Sequence, residues 1–296
     1  MRILRDISDL RGALSEYRQR GQRIALAPTM GNLHAGHLAL IETARQHADV
    51  VVSSLFVNPM QFGPGEDLDA YPRTFEADQQ ALTDAGCDVL FAPTTQALYP
   101  RGLDHQTHVH VPGVSEGLCG GDRPGHFDGV ATVVTVLFNL VQPDIACFGE
   151  KDYQQLAVIR KMVADLHMPI EIVGVPIVRH ADGLALSSRN GYLSAEERTQ
   201  APALYRTLNT VRDALEKGEN PHKALQQGRQ ALYDAGFEPD YLELRDRTLD
   251  PVGTTTCDIV LLAAAKLGRA RLIDNLTLTL PAAIDTSADA DPAPAQ

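Results

Sequence analysis

Short apolar, β-branched runs alternate with amphipathic helical patterns through the first part of the chain. Runs of this kind are typical of strands buried on both faces of a parallel sheet. Strands that alternate with helices predict an α/β fold, here a Rossmann-like doubly wound parallel sheet with helices on both faces. The predicted strands are Ile24–Ala27, Val50–Val57, Asp88–Phe91, Ile145–Phe148 and Ile170–Val178, and the predicted helices are Leu38–Arg45, Thr74–Ala85, Val130–Val141 and Asp152–Leu166.

The pattern changes after about Arg179, where helices come first and strands follow. A capping-box sequence at Ser194 begins a predicted helix that runs to about Lys217. A second helix and three strands follow in the prediction, over Pro221–Ala235, Tyr241–Leu244, Ile259–Ala265 and Arg271–Ile273, with Gly268 turning the last two strands into a hairpin. We expect a Rossmann-like domain over residues 1–179, a smaller α+β domain over residues 180–284 that acts as a lid or builds a dimer, and a disordered acidic tail over residues 285–296.

Composition limits the possible partners. The formal net charge of −12 at pH 7 argues against nucleic acid as a partner, because phosphate backbones select a basic surface. The four cysteines are scattered without a CxxC pair, which indicates reduced structural thiols. No signal segment opens the chain and no apolar run approaches membrane-spanning length, so we expect a cytoplasmic protein with no membrane contact. The sequence also lacks GxxxxGKS/T and GxGxxG, which excludes the usual phosphate loop and disfavours a nicotinamide enzyme.

The segment PTMGNLHAGH, residues 28–37, lies between the first predicted strand and the first predicted helix. His34 and His37 are three apart, so they share one face of a helical first turn whose free N–H groups and dipole favour an anion. Gly31 and Gly36 leave room for a ligand to approach the backbone. Histidines at a helix start are also common as solvated caps, but the strand–glycine–helix setting favours displacement at an ATP phosphate, with the imidazoles as hydrogen-bond donors.

Two polar amides follow the second predicted strand, at the edge of the sheet where ligands bind. Pro59 ends strand pairing, which allows Asn58 and Gln61 to face the crevice, although an ordinary polar turn has the same pattern. A neutral amide can bond a hydroxyl and a carboxylate oxygen at once. Asp67 and Asp69, a little further on, could help to hold Mg²⁺ but are more typical of a solvated acidic loop.

Three later segments carry further candidates. Lys151 lies at a strand-to-helix junction from which an ammonium can reach a triphosphate; the alternative is a surface lysine beside a capping Asp152. The cluster LSSRN, residues 186–190, offers two hydroxyls and a guanidinium, which suit a phosphate clamp, although its sequence alone is typical of a loop. His126 begins the apolar helix and is either a further active-site imidazole or a structural cap. His105, His108 and His110 alternate as metal ligands on a strand could, but no Cys or carboxylate at the usual ligand spacing completes a zinc site.

Six motifs in this order resemble the pantothenate synthetase (pantoate–β-alanine ligase) family of the nucleotidylyltransferase superfamily: PTMGNLHAGH, FVNPMQF, YPRT, GHFDGVATVV, CFGEKDYQQL and LALSSRN. The resemblance spans Ile24 to Leu276. It implies the ATP-dependent condensation of (R)-pantoate with β-alanine to pantothenate through a pantoyl-adenylate, with release of AMP and pyrophosphate. It also implies Mg²⁺ as cofactor and a homodimer.

The resemblance also implies roles for individual residues. The ATP-binding residues would be Met30, Gly31, Asn32, Leu33, His34, Ala35, Gly36, His37, Gly149, Glu150, Lys151, Asp152, Val178, Leu186, Ser187, Ser188 and Arg189. Among these, His34, His37 and Lys151 would be catalytic, and Gln61 and Gln155 would hold pantoate, with Gln61 also near β-alanine. The metal ligands cannot be assigned from these motifs.

Two other functions are compatible with the same residues. A nucleotidylyltransferase proper would join AMP to a phosphorylated acceptor, but Gln61 and Gln155 argue against it, because a phosphate calls for more Arg or Lys. A non-catalytic regulator would only sense ATP. The presence of His34, His37 and Lys151 together argues against this function. The ligase mechanism needs no general base for adenylation, because the pantoate carboxylate is already ionised at pH 7.

Overall fold

The computed structural model describes residues 1–253 and 256–280, and it divides the chain into two compact units. The first unit holds Met1–Val178 and Leu186–Ser188, and the second holds Arg179–Ala185 and the described residues from 189 to 280. The expected acidic tail, residues 285–296, lies outside the described residues. No helix in the described part of the chain is long and apolar enough to cross a membrane.

A six-stranded sheet forms the centre of the first unit. Its strands are β1 (Arg2–Leu4), β2 (Ile24–Thr29), β3 (Val50–Leu55), β4 (Val89–Phe91), β5 (Ile145–Gly149) and β6 (Glu171–Val175). Their spatial order is β1-β4-β3-β2-β5-β6, and every neighbouring pair is parallel. The strand order therefore reverses between β2 and β5, and in sheets of this kind ligands bind outside the carboxyl ends of the strands at that point.

The helices of the first unit connect these strands, as the sequence predicts for a doubly wound fold. They are α1 (Ile7–Gln19), α2 (Ala35–His47), α3 (Phe75–Asp84), α4 (Thr95–Leu98), α5 (Leu118–Asp122), α6 (His126–Val141) and α7 (Tyr153–Asp165). The side chains of α6 are buried on most of its circumference, which accounts for its apolar sequence. The predicted α/β fold class is confirmed, but β1 and α1 were not predicted, and β6 ends three residues before the predicted end at Val178.

The second unit has an α+β fold with a three-stranded antiparallel sheet. It contains α8 (Ala195–Gln200), α9 (Ala203–Glu216), α10 (Pro221–Asp234), β7 (Glu238–Asp246), β8 (Asp258–Leu267) and β9 (Ala270–Thr279). The single helix predicted from Ser194 to Lys217 is wrong, because the chain divides into α8 and α9 on either side of Ala201 and Pro202. Proline cannot donate the backbone hydrogen bond that would carry the helix through. The predicted hairpin at Gly268 joins β8 and β9.

A partly buried ion pair lies inside the second unit. Arg179 donates from both terminal nitrogens to the carboxylate of Asp274, at 2.6 and 2.8 Å. The same guanidinium stacks 3.7 Å from the ring centroid of Tyr205. A planar guanidinium suits both contacts at once, so this pair fixes the start of the Arg179–Ala185 segment within its own unit.

Helix α6 approaches the turn after β3 so closely that only glycine fits between them. A Cβ atom on Gly129 would lie 2.2 Å from the carbonyl oxygen of Met60 and 2.7 Å from the Cα atom of Gln61. Both neighbours are backbone, which cannot move aside as a side chain would. The glycine thus sets how near the helix can come to Gln61.

We predict that Gly129→Ala lowers the free energy of unfolding by about 1–3 kcal/mol, the usual cost of forcing a methyl group into a packed site. Gly12, in the exposed part of α1, has no atom within 4 Å of its would-be Cβ and is the matched control. Gly12→Ala should stabilise the protein by about 0.5–1 kcal/mol through helix propensity alone. Urea unfolding of the two variants measures both values, and equal effects would contradict the packing argument.

Candidate active site

The two histidines after β2 form a reciprocal cap at the start of α2. Nδ1 of His34 accepts the N–H of Gly36 at 3.1 Å, and Nδ1 of His37 accepts the N–H of His34 at 3.3 Å. A backbone N–H can only donate, so neither Nδ1 carries a proton and each neutral imidazole has its proton on Nε2. The two rings contact each other at a tilt of 34°, with centroids 4.1 Å apart. The start of α2 thus carries two Nε2–H donors.

His37 is uncharged at neutral pH. Loss of hydration on burial is the main cause that lowers the pKa of His37 to about 4; the negative charge of Asp152 opposes this shift and the positive charge of Lys151 adds to it. These electrostatic effects also show that residues after β5 lie near the start of α2. The reversal of strand order between β2 and β5 explains why these two segments meet.

A buried carboxylate holds the backbone of the loop that precedes α2. Asp78 of α3 accepts the N–H of Asn32 at 2.9 Å and the N–H of Leu33 at 2.8 Å. The hydroxyl of Thr74 donates to the same carboxylate at 3.0 Å. Gly31 has a φ of +89°, which favours glycine, and a Cβ atom there would lie 3.0 Å from the carboxylate. Asp78 therefore fixes the loop that the sequence assigns to ATP.

Sequence reasoning missed Asp78. A signal was available, because Asp78 and Leu82 are four residues apart on one face of α3 and both are buried. A carboxylate on the apolar face of a helix requires hydrogen-bond donors to face it. The sequence does not reveal that those donors are the backbone N–H groups of the loop before α2.

The segment Leu186–Ser188 meets this same loop. The N–H of Leu186 donates to the carbonyl of Val178 at 3.0 Å, and the hydroxyl of Ser188 donates to the carbonyl of Asn32 at 3.2 Å. A Cβ atom on Gly36 would lie 3.9 Å from Leu186 Cβ, an ordinary contact distance. Ser188 and Leu186 are therefore brought to the predicted ATP segment. Arg189 belongs to the second unit, and its role stays a prediction.

Gln61 lies beside Met30 at the end of the turn after β3. Its Nε2 is 3.2 Å from the Met30 sulfur, and its Oε1 accepts from Asn58 Nδ2 at 3.1 Å. The backbone carbonyl of Gln61 accepts from Nδ1–H of His126 at 2.8 Å and from Arg123 at 3.3 Å. Side chain and backbone of Gln61 are both held by hydrogen bonds.

Three charged or polar side chains support this carbonyl. Arg123 donates to both carboxylate oxygens of Glu66, at 2.6 and 2.7 Å, and its third nitrogen lies 3.0 Å from Nε2 of His126. A guanidinium only donates, so Nε2 accepts and His126 is the neutral Nδ1–H tautomer. Burial and Arg123 lower the pKa of His126 to about 4. His126 is thus a support for the Gln61 carbonyl, which is a structural role other than the helix cap expected from the sequence.

The other predicted site residues are placed as follows. Gln155 is partly exposed near the start of α7, and within the described chain it has no hydrogen bond to the other predicted site residues. Its neighbour Gln154 is buried and binds the carbonyls of Val114 and Gly117 and the N–H of Cys119. Glu150 reaches Gly174 of β6, where a Cβ atom would lie 2.8 Å from its Oε1. Gly149, Lys151 and Asp152 form the end of β5 and the 3₁₀ turn after it.

Comparisons with known proteins agree with these motifs. The family model described as pantoate-beta-alanine ligase matches residues 2–277. A relative named pantothenate synthetase from Chromohalobacter salexigens is 64% identical over 282 residues, covering 95% of this chain and 100% of that protein. One from Pseudomonas aeruginosa is 57% identical over 95% of this chain and 100% of its own length.

Solved structures give the same result. The pantothenate synthetase of Thermus thermophilus superposes with a TM-score of 0.88 at 49% identity, covering 93% of this chain and 99% of that one. The pantoate-beta-alanine ligase of Francisella tularensis, solved with beta-gamma ATP and beta-alanine, has a TM-score of 0.80 at 32% identity and covers 94% of this chain and 97% of its own. These similarities extend over both units.

We predict that Asp78→Ala lowers the free energy of unfolding by about 2–4 kcal/mol, because it leaves two backbone N–H groups without their acceptor. Asp84→Ala, at the exposed end of the same helix, should change it by less than about 0.5 kcal/mol. Urea unfolding measures both. A small effect at Asp78 would show that the loop is held by other contacts.

The lowered pKa of His37 predicts a pH effect on stability. The unfolded chain binds a proton at His37 as the pH falls below about 6.5, whereas the folded protein does so only near pH 4, so this residue removes stability as the pH falls through that window. His37→Gln should therefore lose less stability than the original protein between pH 6.5 and pH 4. Denaturant unfolding at several pH values tests this, and parallel curves for the two proteins would contradict it.

Proposed function

Since the chain belongs to the pantoate-beta-alanine ligase family, we propose that the side chains at the carboxyl ends of β2, β3 and β5 carry out this family's reaction. The pantoate carboxylate attacks the α-phosphorus of ATP. The bond between the α-phosphorus and the oxygen that bridges to the β-phosphate breaks, and pyrophosphate leaves with that electron pair. The amine of β-alanine then attacks the acyl carbon, the carbon–oxygen bond to AMP breaks, and pantothenate forms with the loss of one proton.

The observation that carries the proposal is the tautomer of the two histidines at the start of α2. Because both Nδ1 atoms accept backbone N–H groups, both Nε2–H groups are donors at a helix terminus that already favours anions. With its low pKa, His37 is a poor base and a neutral donor. Its role would be to bond phosphate oxygens as charge builds on them, together with the ammonium of Lys151.

Gln61 would hold pantoate through a neutral amide, which binds a carboxylate or hydroxyl without adding charge beside the reacting carboxylate. Its neighbours support this role, since its backbone and its Oε1 are already held by other residues. Gln155 would hold pantoate from α7. The remaining ATP contacts proposed here are those of the Met30–His37, Gly149–Asp152 and Leu186–Arg189 segments and of Val178.

Magnesium would enter this scheme with ATP. Among the described residues, no three His, Cys, Asp or Glu side chains are grouped so that they could hold a metal ion. Mg²⁺ at nucleotide sites binds mainly phosphate oxygens and water, with one or two carboxylates, and it offsets phosphate charge. Asp152, whose charge reaches His37, is the carboxylate that we expect to contribute.

The proposal also includes a role for the second unit, a homodimer and a cytoplasmic location. The second unit would act as a lid that keeps water from the adenylate, since hydrolysis of that anhydride competes with the amine. Sedimentation velocity over a range of protein concentrations would test the dimer, and a monomer at all concentrations would refute it.

The test is to mix the protein with Mg-ATP and (R)-pantoate, with and without β-alanine, and to identify the products. AMP and pyrophosphate should form in steady turnover only with β-alanine, after a single-turnover burst of pyrophosphate without it. ADP as product, or turnover independent of β-alanine, would overturn the proposal.

We predict that His37→Ala and Lys151→Ala each slow the pyrophosphate burst by about 10²–10³-fold, the scale for loss of one preorganised donor. His47→Ala, at the exposed opposite end of α2, and Lys161→Ala, in a surface ion pair on α7, are matched controls that should keep the original rate. Near-original rates in His37→Ala or Lys151→Ala would remove that residue from the mechanism.

A further inference from the structure

The orientation of the Asn58 side-chain amide is fixed by two backbone groups. The N–H of Met60 lies 3.2 Å from one end of the amide, and the carbonyl of Gly129 lies 3.1 Å from the other. An N–H can only donate and a carbonyl can only accept. The end near Met60 is therefore Oδ1, and the end near Gly129 is Nδ2.

This orientation passes on to Gln61. The second hydrogen on Asn58 Nδ2 points to the Gln61 amide at 3.1 Å, so the atom that receives it must be Oε1. The other end of that amide, which lies toward Met30, is then the NH₂ group. One hydrogen of this NH₂ group donates to the Met30 sulfur, the other can donate to a substrate oxygen, and the acceptor end of the amide is occupied.

Tyr99 completes the hydrogen bonding of Asn58. Its hydroxyl lies 2.8 Å from Asn58 Oδ1, the shortest contact in this group, and because Oδ1 only accepts, the hydroxyl donates. Tyr99 and Asn58 are both 1% exposed. With this bond, both hydrogens and both acceptor positions of the Asn58 amide are used. The Tyr99 ring packs edge-on against Phe56, the residue that directly follows β3, at a centroid distance of 6.1 Å.

We propose that Tyr99 is a positioning residue for the condensation, and that its hydroxyl acts through Asn58 to keep the NH₂ end of Gln61 toward the substrate. The inference rests on the proposed role of Gln61 in binding pantoate. Tyr99 is 1% exposed and its hydroxyl is bonded to Asn58, so its proposed effect is indirect. Without its hydroxyl, a buried acceptor position on Asn58 is empty, and the amide that orients Gln61 is held by one donor fewer.

Tyr99→Phe is the test, because it removes one oxygen and keeps the ring. A neutral hydrogen bond of ordinary strength corresponds to a change of about twofold to tenfold. We expect kcat/KM for pantoate to fall by about that factor, with kcat/KM for ATP unchanged. Tyr241→Phe removes a hydroxyl from a similarly buried tyrosine of the second unit and should leave both values unchanged. Thermal unfolding of each variant shows whether it is folded.

A double-mutant cycle separates positioning from general damage. If Tyr99 acts through Gln61, Tyr99→Phe should have no further effect on pantoate kinetics in the Gln61→Ala background. Effects that multiply in the double variant would overturn the inference, since independent sites are additive in free energy. So would an unchanged kcat/KM for pantoate in Tyr99→Phe alone.

Gln61 variants keep this result distinct from the proposed function. If Gln61→Ala leaves kcat/KM for pantoate unchanged, the proposed role of Gln61 fails, and the inference fails with it. If Gln61→Ala reduces it and Tyr99→Phe does not, only the inference fails. Gln61→Glu should be worse than Gln61→Ala, because it places a carboxylate oxygen where the NH₂ group would meet the substrate carboxylate.

Discussion

The pairing of β2 with β3 on one side and with β5 on the other is the constraint on which the site depends. All three strands run parallel, so their carboxyl ends open on the same edge of the sheet. The strand order reverses between β2 and β5, so the connections that follow these two strands lead toward opposite edges of the sheet. This leaves a crevice between the segments that follow β2 and β5. The His34–His37 cap and Lys151 come together for this reason, although more than a hundred residues separate them.

The sheet brings these segments together, but buried polar groups determine their detailed geometry. Asp78 fixes two backbone N–H groups before α2, and Asn58 fixes the Gln61 amide. In both cases a side chain that is almost completely buried must find partners, because an unsatisfied polar group in the interior is costly. That cost makes each arrangement specific, since rotating one amide would leave several groups unpaired at once.

How far the sequence predicts this structure depends on the range of the interactions involved. The strand at Ile24 and the helix after His34 can be predicted from local patterns. A run of apolar residues indicates a strand buried on both faces, and the residues at a helix start indicate its cap. Strand β1 was missed since its three residues pair only with distant β4. The positions of Asp78 and Tyr99 depend in the same way on which elements are adjacent in the fold. The local motifs therefore identify the chemistry of the site, whereas the residues that hold those motifs in place require the tertiary structure.

The neutral state of His37 also has a physical reason. An imidazolium at His37 would lose hydration and would lie near the positive charge of Lys151, and these two effects lower its pKa to about 4, against the opposing charge of Asp152. A neutral Nε2–H donor can be held in a partly buried position before ATP arrives without the cost of desolvating a charge. In the proposed reaction this donor would already be in place when the phosphate charge grows and would need no reorganisation, which is the condition under which a hydrogen bond lowers a barrier most. Burial of these rings is therefore compatible with the proposed phosphate-donor function, because the backbone bonds that cap α2 leave the imidazole proton on Nε2.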